Sequence, residues 1–299
     1  MDFSTPKSLY ILLLSLLFGA ILAGCASPSL KVTPMPTDTP AATFTASQTP
    51  LPSATPEPTR PVCTQTTGTI TTTTLTSKLS KFPTELKIYT PPCYIPGGEK
   101  KYPVLYMLHG QTYTDSQWID LGLTSKADAL ISSGEVVPMI IVLPNEAESM
   151  TFADTSHFGD IMVDVVLPYI DSNYSVCTLR SCRAIGGLSR GGNWAVRIGL
   201  SHTDLFTAIG AHSAPLFYGD LQRVDQWVAA SSAVPMIYID FGKSDEDRAD
   251  MLQFDQKLTD LDVAHQMLQF LGFHDADYWS AHTADYLDWY SQSFTSTAN

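Results

Sequence analysis

The run Gly187-Leu188-Ser189-Arg190-Gly191 most constrains what this chain can fold into. It joins two segments of opposite character. Upstream, Arg183-Ala184-Ile185-Gly186 is short and largely apolar, as an interior strand of a parallel sheet is. Downstream, Gly192-Asn193-Trp194-Ala195-Val196-Arg197-Ile198-Gly199-Leu200 reads as a helix. A G-x-S-x-G turn between strand and helix forces its serine into a strained backbone conformation, so the flanking residues must lack bulk. The expected result is a Ser189 Oγ raised above the sheet, with the Arg190 N–H aimed at negative charge developing beside it.

A nucleophilic serine needs a base, and the base needs an acid to orient it. In strand–turn–helix sites of this kind the chain order is Ser, then Asp or Glu, then His. After Ser189, Val234-Pro235-Met236-Ile237-Tyr238-Ile239 predicts a buried strand that ends in Asp240-Phe241-Gly242-Lys243-Ser244-Asp245. Ala264-His265-Gln266-Met267-Leu268-Gln269-Phe270 predicts another, followed by Leu271-Gly272-Phe273-His274. Asp245 and His274 thus fall in loops past the carboxyl ends of strands, where open α/β sheets build their sites. Asp245 is the candidate acid, and His274 the candidate base. The rivals have local explanations. Asp240 sits at a strand end and suits packing or backbone hydrogen bonds. Glu246 and Asp247 stand where the next helix begins, and helix N-termini favour acidic residues. His265 alternates within a strand, and His282 lies on the final helix. His202 and His212 precede the acid and break the order.

The second half of an oxyanion hole is expected after an earlier strand. Pro103-Val104-Leu105-Tyr106-Met107-Leu108 is that strand, and His109-Gly110-Gln111 follows it. The Gln111 amide is the candidate second donor beside that of Arg190, with His109 as an organiser of the loop.

Together, Tyr106-Met107-Leu108-His109-Gly110, Gly187-Leu188-Ser189-Arg190-Gly191-Gly192, Phe241-Gly242-Lys243-Ser244-Asp245 and Gly272-Phe273-His274-Asp275-Ala276-Asp277-Tyr278-Trp279 resemble the esterase D / feruloyl esterase-type branch of the α/β-hydrolases. Val166-Leu167-Pro168-Tyr169-Ile170-Asp171 resembles that family's helix before the nucleophile strand. The resemblance runs over residues 67–290. It implies an α/β-hydrolase fold, a mostly parallel sheet with helices on both faces. It also implies a serine carboxylesterase acting through an acyl-enzyme without a cofactor. Ser189, Asp245 and His274 would be its triad, and Gln111 and Arg190 its backbone oxyanion donors. The chain departs from many members after the histidine, where a small residue and a tryptophan are replaced by Asp275 and Ala276. The family's chemistries span feruloyl, acetyl-xylan, S-formylglutathione, siderophore-ester and mycolyl-transfer reactions. Acyl transfer to a sugar or lipid hydroxyl is therefore the alternative to hydrolysis. A non-catalytic binding module on the same scaffold would be expected to lack a triad residue, and none is missing.

Residues 9–22 are one apolar run, short for a membrane-spanning helix and suited to a signal-peptide core. The run ends in Leu22-Ala23-Gly24-Cys25, which resembles a bacterial lipobox with Cys25 as the lipidated residue. An uncleaved anchor is the alternative, and either reading makes the chain exported and membrane-tethered, outside the cytoplasm. The expected organisation is a lipoprotein signal peptide over 1–24, Cys25 and a Pro/Thr-rich linker over 25–61, and a catalytic domain over 62–299. The linker has no apolar period with which to build a core. As extended polyproline II it would reach roughly 100 Å at ~3.1 Å per residue. Four cysteines remain beyond Cys25, and an even number in an exported domain predicts disulfides. Three pairings are possible. Cys177 and Cys182 flank a short loop and are expected to pair, leaving Cys63 with Cys93. No C-x-x-C or histidine cluster suggests a metal.

Roughly 235 residues suffice for one α/β domain with a full core. Strands are expected at residues 69–76, 85–89 and 104–108, a helix at 124–133, a strand at 139–143 and a helix at 159–173. Alternation then continues to a last helix at 277–290. A formal charge of −13 argues against nucleic acid or other anionic polymers as partners. A small-molecule or carbohydrate ester is the expected substrate. Tyr113, Trp118, Tyr278 and Trp279 are candidate cleft aromatics, and Asn145 and Met150 candidate contacts from a loop on the same face.

Overall fold

The computed structural model describes residues 63–295. The expected signal peptide, Cys25 and the linker lie outside the described residues. Two Thr-rich and apolar segments form an antiparallel hairpin, β1 (Thr69–Leu75) and β2 (Thr84–Thr90). β3 (Val104–Leu108) follows, then two helices, α1 (Gln117–Asp120) and α2 (Leu123–Ser133), and β4 (Ile140–Pro144). Helices α3 (Phe158–Ile161) and α4 (Leu167–Asn173) lead to β5 (Arg183–Leu188), α5 (Arg190–Ser201) and β6 (Ala208–His212). The chain ends with α6 (Asp220–Ala230), β7 (Met236–Gly242), α7 (Arg248–Asp260), β8 (His265–Phe270) and α8 (Ala276–Thr295).

Among the described residues these strands make one eight-stranded sheet in the order β1-β2-β4-β3-β5-β6-β7-β8. It is antiparallel at the β1–β2 and β2–β4 seams, and parallel from β4 onward. β3, β4, β5 and β6 are buried along their whole length, which is why their sequences are continuous apolar or small runs rather than alternating ones. The pleat divides those runs between two cores. Val104, Tyr106 and Leu108 face the layer that contains Phe158, Trp194, Val224 and Phe254. Leu105 and Met107 face the layer that contains Trp118, Leu123, Tyr286 and Tyr290. Helices α3 to α7 therefore cover one face, and α1, α2 and α8 the other. This is the expected two-sided α/β architecture.

One expected element changes form. Residues 159–173, expected as a single helix, contain a π-helical turn at Met162–Val166 between α3 and α4. Pro168 lies in the first turn of α4. It has no N–H to donate, and its ring excludes the carbonyl four residues earlier, so the α-helical ladder cannot pass through it and the turn widens.

The two expected disulfides are present, Cys63–Cys93 and Cys177–Cys182. The first closes a 30-residue separation and fastens the start of the described chain beyond β2. The second closes the short loop just before β5.

Candidate active site

Ser189 occupies the junction of β5 and α5 with φ 51° and ψ −123°, a conformation strained for any residue with a side chain. Two hydrogen bonds hold it there: its N–H donates to the His212 carbonyl at 2.8 Å, and its own carbonyl accepts from Asn193 N–H at 3.0 Å. Gly187 and Gly191 make the turn possible. A Cβ on Gly187 would run into the backbone of Gly191 and, at 2.7 Å, the Leu108 carbonyl, and one on Gly191 would meet the Leu108 carbonyl itself. β5, the first turn of α5 and the end of β3 thus touch through backbone alone.

His274 and Asp245 arrive from the ends of β8 and β7. His274 Nδ1 lies 3.1 Å from each Asp245 oxygen, so the carboxylate grips the ring evenly. Asp245 is buried and accepts a further bond from Asp247 N–H at 2.9 Å. Burial alone would push the Asp245 carboxyl up, but the His274 and Asp247 donors outweigh it and hold it below its ordinary range. Burial likewise pushes His274 down, while the hydrogen bond and charge of Asp245, with the charges of Asp247 and Glu246, leave it above its ordinary value. Asp247 Oδ2 stands 3.9 Å from His274 Nδ1, beyond hydrogen-bond reach, so its influence is through charge.

Ser189 and His274 line one cleft of about 420 Å³ with Gln111, Tyr113, Ala276 and Trp279. Trp279 packs edge-on against the His274 ring at 5.1 Å. Gln111 also lines a second groove, of about 430 Å³, with Met150, Phe152, Phe217 and Tyr218. Neither the Gln111 nor the Arg190 backbone N–H has a hydrogen-bond partner among the described residues. For Arg190 the reason is positional, since the first N–H groups of a helix have no intrahelical acceptor.

Of the candidate contact residues, Tyr113 and Trp279 line the cleft, and Met150 lines the neighbouring groove. Trp118 and Tyr278 do not line the cleft. Trp118 is buried under the site and donates its indole N–H to the Leu108 carbonyl at 2.9 Å, because α1 lays its apolar side on the sheet. Tyr278, in the first turn of α8, turns inward to donate its hydroxyl to Asp240 at 2.7 Å. Asn145 is also misplaced by the sequence reading: its backbone N–H bonds Glu85 at the β2–β4 seam, and it lines a separate recess with Ser80 and Phe82.

Asp240 is committed elsewhere. Fully buried, it bonds His212 Nδ1 at 2.6 Å, Tyr278 at 2.7 Å and Tyr286 at 2.8 Å, while His212 Nε2 meets the Tyr290 hydroxyl at 3.0 Å. His265 bonds Asp255 and the Val263 carbonyl, as a structural histidine would. Sequence reasoning missed Gln117, whose side chain accepts the Gly110 N–H at 2.7 Å, and Glu146, which binds the Arg190 side chain. An acid and an arginine next to predicted strand ends are visible in the sequence, but their pairing across 44 positions is not.

Comparison with known proteins identifies the family and the fold. The family model "Esterase", described as "Putative esterase", matches residues 77–291. An endo-1,4-beta-xylanase/feruloyl esterase from Xylanibacter ruminicola is 30% identical over 129 residues, which cover 40% of this chain and 18% of that much longer protein. An acetyl esterase from Caldicellulosiruptor saccharolyticus is 24% identical over 232 residues, 63% of this chain and 83% of the relative. A solved ferulic acid esterase superposes with a TM-score of 0.68 at 26% identity, over 76% of this chain and 99% of its own. The expected α/β-hydrolase fold is thereby matched along the described sheet. The family match starts before β2 and ends within α8, so it takes in every element that carries the site, and this chain belongs to the Esterase family.

Proposed function

We propose that the chain is a serine carboxylic-ester hydrolase working through Ser189, His274 and Asp245 and an acyl-enzyme intermediate. The observation that carries this reading is the even grip of Asp245 on His274 Nδ1, with that ring and the strained Ser189 lining one cleft. Asp245 fixes the tautomer that leaves Nε2 free to accept a proton. Ser189 Oγ attacks the ester carbonyl carbon as Nε2 takes its proton, and the resulting oxyanion is met by the Gln111 and Arg190 N–H groups. Collapse breaks the C–O bond, and His274 returns the proton to the departing alcohol. A water molecule then repeats the sequence on the acyl-enzyme and releases the acid.

The two cavities divide the substrate. The alcohol must leave beside His274, on the side of Ala276 and Trp279, so the acyl group points across Gln111 into the second groove. That groove's arginines are already neutralised, Arg190 by Glu146 and Arg197 by Asp220 and Asp154. Phe152 and Tyr218 beside it are 86% and 98% exposed, a large apolar surface left open to water. Uncharged acyl groups such as feruloyl or acetyl, on carbohydrate or related small alcohols, fit these walls. The matched relatives named for feruloyl and acetyl esters support that substrate class. The lipobox and the disulfides support an exported enzyme held at the membrane through Cys25.

A fluorophosphonate probe should label the wild-type protein on Ser189 and leave Ser189→Ala unlabelled. The labelled protein, recovered from membranes, should carry its lipid on Cys25, and Cys25→Ser should abolish that lipid. Equal labelling of Ser189→Ala would end the hydrolase reading, and an unlipidated wild type would end the anchor.

Acid sensitivity follows from the raised His274. The base works only when neutral, so kcat/KM should fall as pH drops through an apparent pKa above the ordinary 6.5 of histidine. Asp247→Asn removes a charge that favours the imidazolium. It should stay active and move that acid limb to lower pH, as read from kcat/KM profiles on a p-nitrophenyl ester. A limb that stays in place or moves upward would contradict the assignment.

A further inference from the structure

The Glu146–Arg190 ion pair is buried directly behind the nucleophile turn, with side chains 3% and 9% exposed. Arg190 presents its fork to both Glu146 oxygens, Nε at 2.8 Å and Nη2 at 2.6 Å, and Nη2 also donates to the Thr151 carbonyl at 3.0 Å. The backbone N–H of the same Glu146 donates to His109 Nε2 at 2.8 Å. An amide can only donate, so Nε2 is an acceptor and the ring proton sits on Nδ1. Nδ1–H lies 2.8 Å from the Gly110 carbonyl and donates to it. In a trans peptide the carbonyl and the following N–H point in opposite directions. Pinning the Gly110 carbonyl to the His109 ring, with the Tyr113 N–H donating to it as well at 3.2 Å, therefore turns the Gln111 N–H the other way, where it has no partner among the described residues.

Burial holds His109 below its ordinary value, as does Arg190, against the Gly110 carbonyl and the charges of Glu146 and Asp115, which push it up. The neutral ring is the form this geometry needs. Protonated, Nε2 would face the Glu146 N–H as a second donor. Gln117 completes the clamp by accepting the Gly110 N–H, so both sides of the Gly110 residue are tied. A buried ion pair is weak evidence of a stabilising role, since apolar residues of similar volume often stabilise as well. Its bidentate geometry specifies direction, and the direction it specifies is that of the residue following Ser189.

We infer that Glu146 is the common positioning residue of both oxyanion donors: its carboxylate anchors Arg190, and its backbone N–H sets the His109 tautomer that aims Gln111. This rests on the proposed triad and oxyanion roles. Glu146 and His109 do not touch substrate in this scheme, and Arg190, which lines the second groove, meets the oxyanion through its backbone N–H. They determine where two amides stand before the charge develops, and such preorganisation acts on the transition state more than on the bound ester.

The test is steady-state kinetics of purified full-length Glu146→Gln, Arg190→Lys and His109→Ala on a p-nitrophenyl ester. It is read with fluorophosphonate titration of competent sites and inhibition by a trifluoromethyl ketone, which forms a tetrahedral oxyanion. Glu146→Gln and His109→Ala should each lose about 10- to 100-fold in kcat per titrated site, with KM within about twofold. The ketone should weaken in proportion to kcat. Arg190→Lys keeps the charge but loses the fork, and should fall in between. Wild-type kcat per titrated site in Glu146→Gln or in Arg190→Lys, or a loss confined to KM or to the titratable fraction, would overturn the inference. Failure of wild type itself to titrate would instead sink the triad reading.

Discussion

Ser189→Ala and His274→Ala should each lose roughly 10⁴-fold or more in kcat, and the double variant should lose little beyond either single. The reason is that nucleophile and base form one proton-transfer unit. Without His274 the Ser189 hydroxyl keeps its proton, and without Ser189 the ring has no proton to take. Asp245→Asn should be impaired by a comparable factor, because an amide facing Nδ1 favours the wrong tautomer at the 3.1 Å contacts that now fix the right one. Residual turnover comes from the oxyanion donors and substrate binding, which all three variants retain. The measurement is kcat on an activated ester with the melting temperature recorded alongside. Near-normal turnover in Asp245→Asn would move the acid to a neighbour, and multiplicative losses in the double variant would dissolve the triad as a unit.

Asp240→Asn should do the reverse, leaving chemistry and removing stability. The carboxylate of Asp240 is the shared acceptor for His212, Tyr278 and Tyr286 in a fully buried setting. An amide offers one accepting oxygen where three groups now donate to two, and its NH₂ brings donors to a carboxylate site whose partners are all donating. Each buried group left unpaired costs about 1–3 kcal/mol, so a loss of roughly 4 kcal/mol is expected. For a domain of this size that lowers the melting temperature by roughly 8–16 °C. The enzyme that remains folded should turn over within a few-fold of wild type, since Asp240 does not line the cleft. A large fall in kcat with an unchanged melting temperature would make Asp240 the working acid and Asp245 a bystander.

The contrast between these two aspartates shows what was readable in advance. Asp240 lies within β7 and Asp245 just past its end, five positions apart. The loop position of Asp245 marked it as the candidate acid, because a side chain past the carboxyl end of β7 overlooks the cleft from any plausible packing. Asp240 suits packing from its place in the strand, yet nothing local reveals that its partners come from β6 and from two turns of α8.

Local patterns determined much of this protein. The apolar runs of β3 to β6, the glycine-lined turn at Ser189 and the Cys177–Cys182 pairing depend on residues close together in sequence, and the placement of Asp245 and His274 depends on where two strands end. Their steric and hydrogen-bonding demands are met within one or two elements, so the pattern carries the outcome. Tertiary structure alone decided which way long side chains turned. Trp118 and Tyr278 stand beside cleft residues in sequence, but the faces of α1 and α8 laid on the sheet took both inward, one to the Leu108 carbonyl and one to Asp240. The pairing of Glu146 with Arg190 was likewise settled only when β4 and β5 were placed on either side of β3. A sequence specifies the charges and the periodicity of each segment, whereas a contact between distant segments depends on rotation about each helix axis and on the order of strands. Those are properties of the packed whole, set by burial summed over both layers of the core.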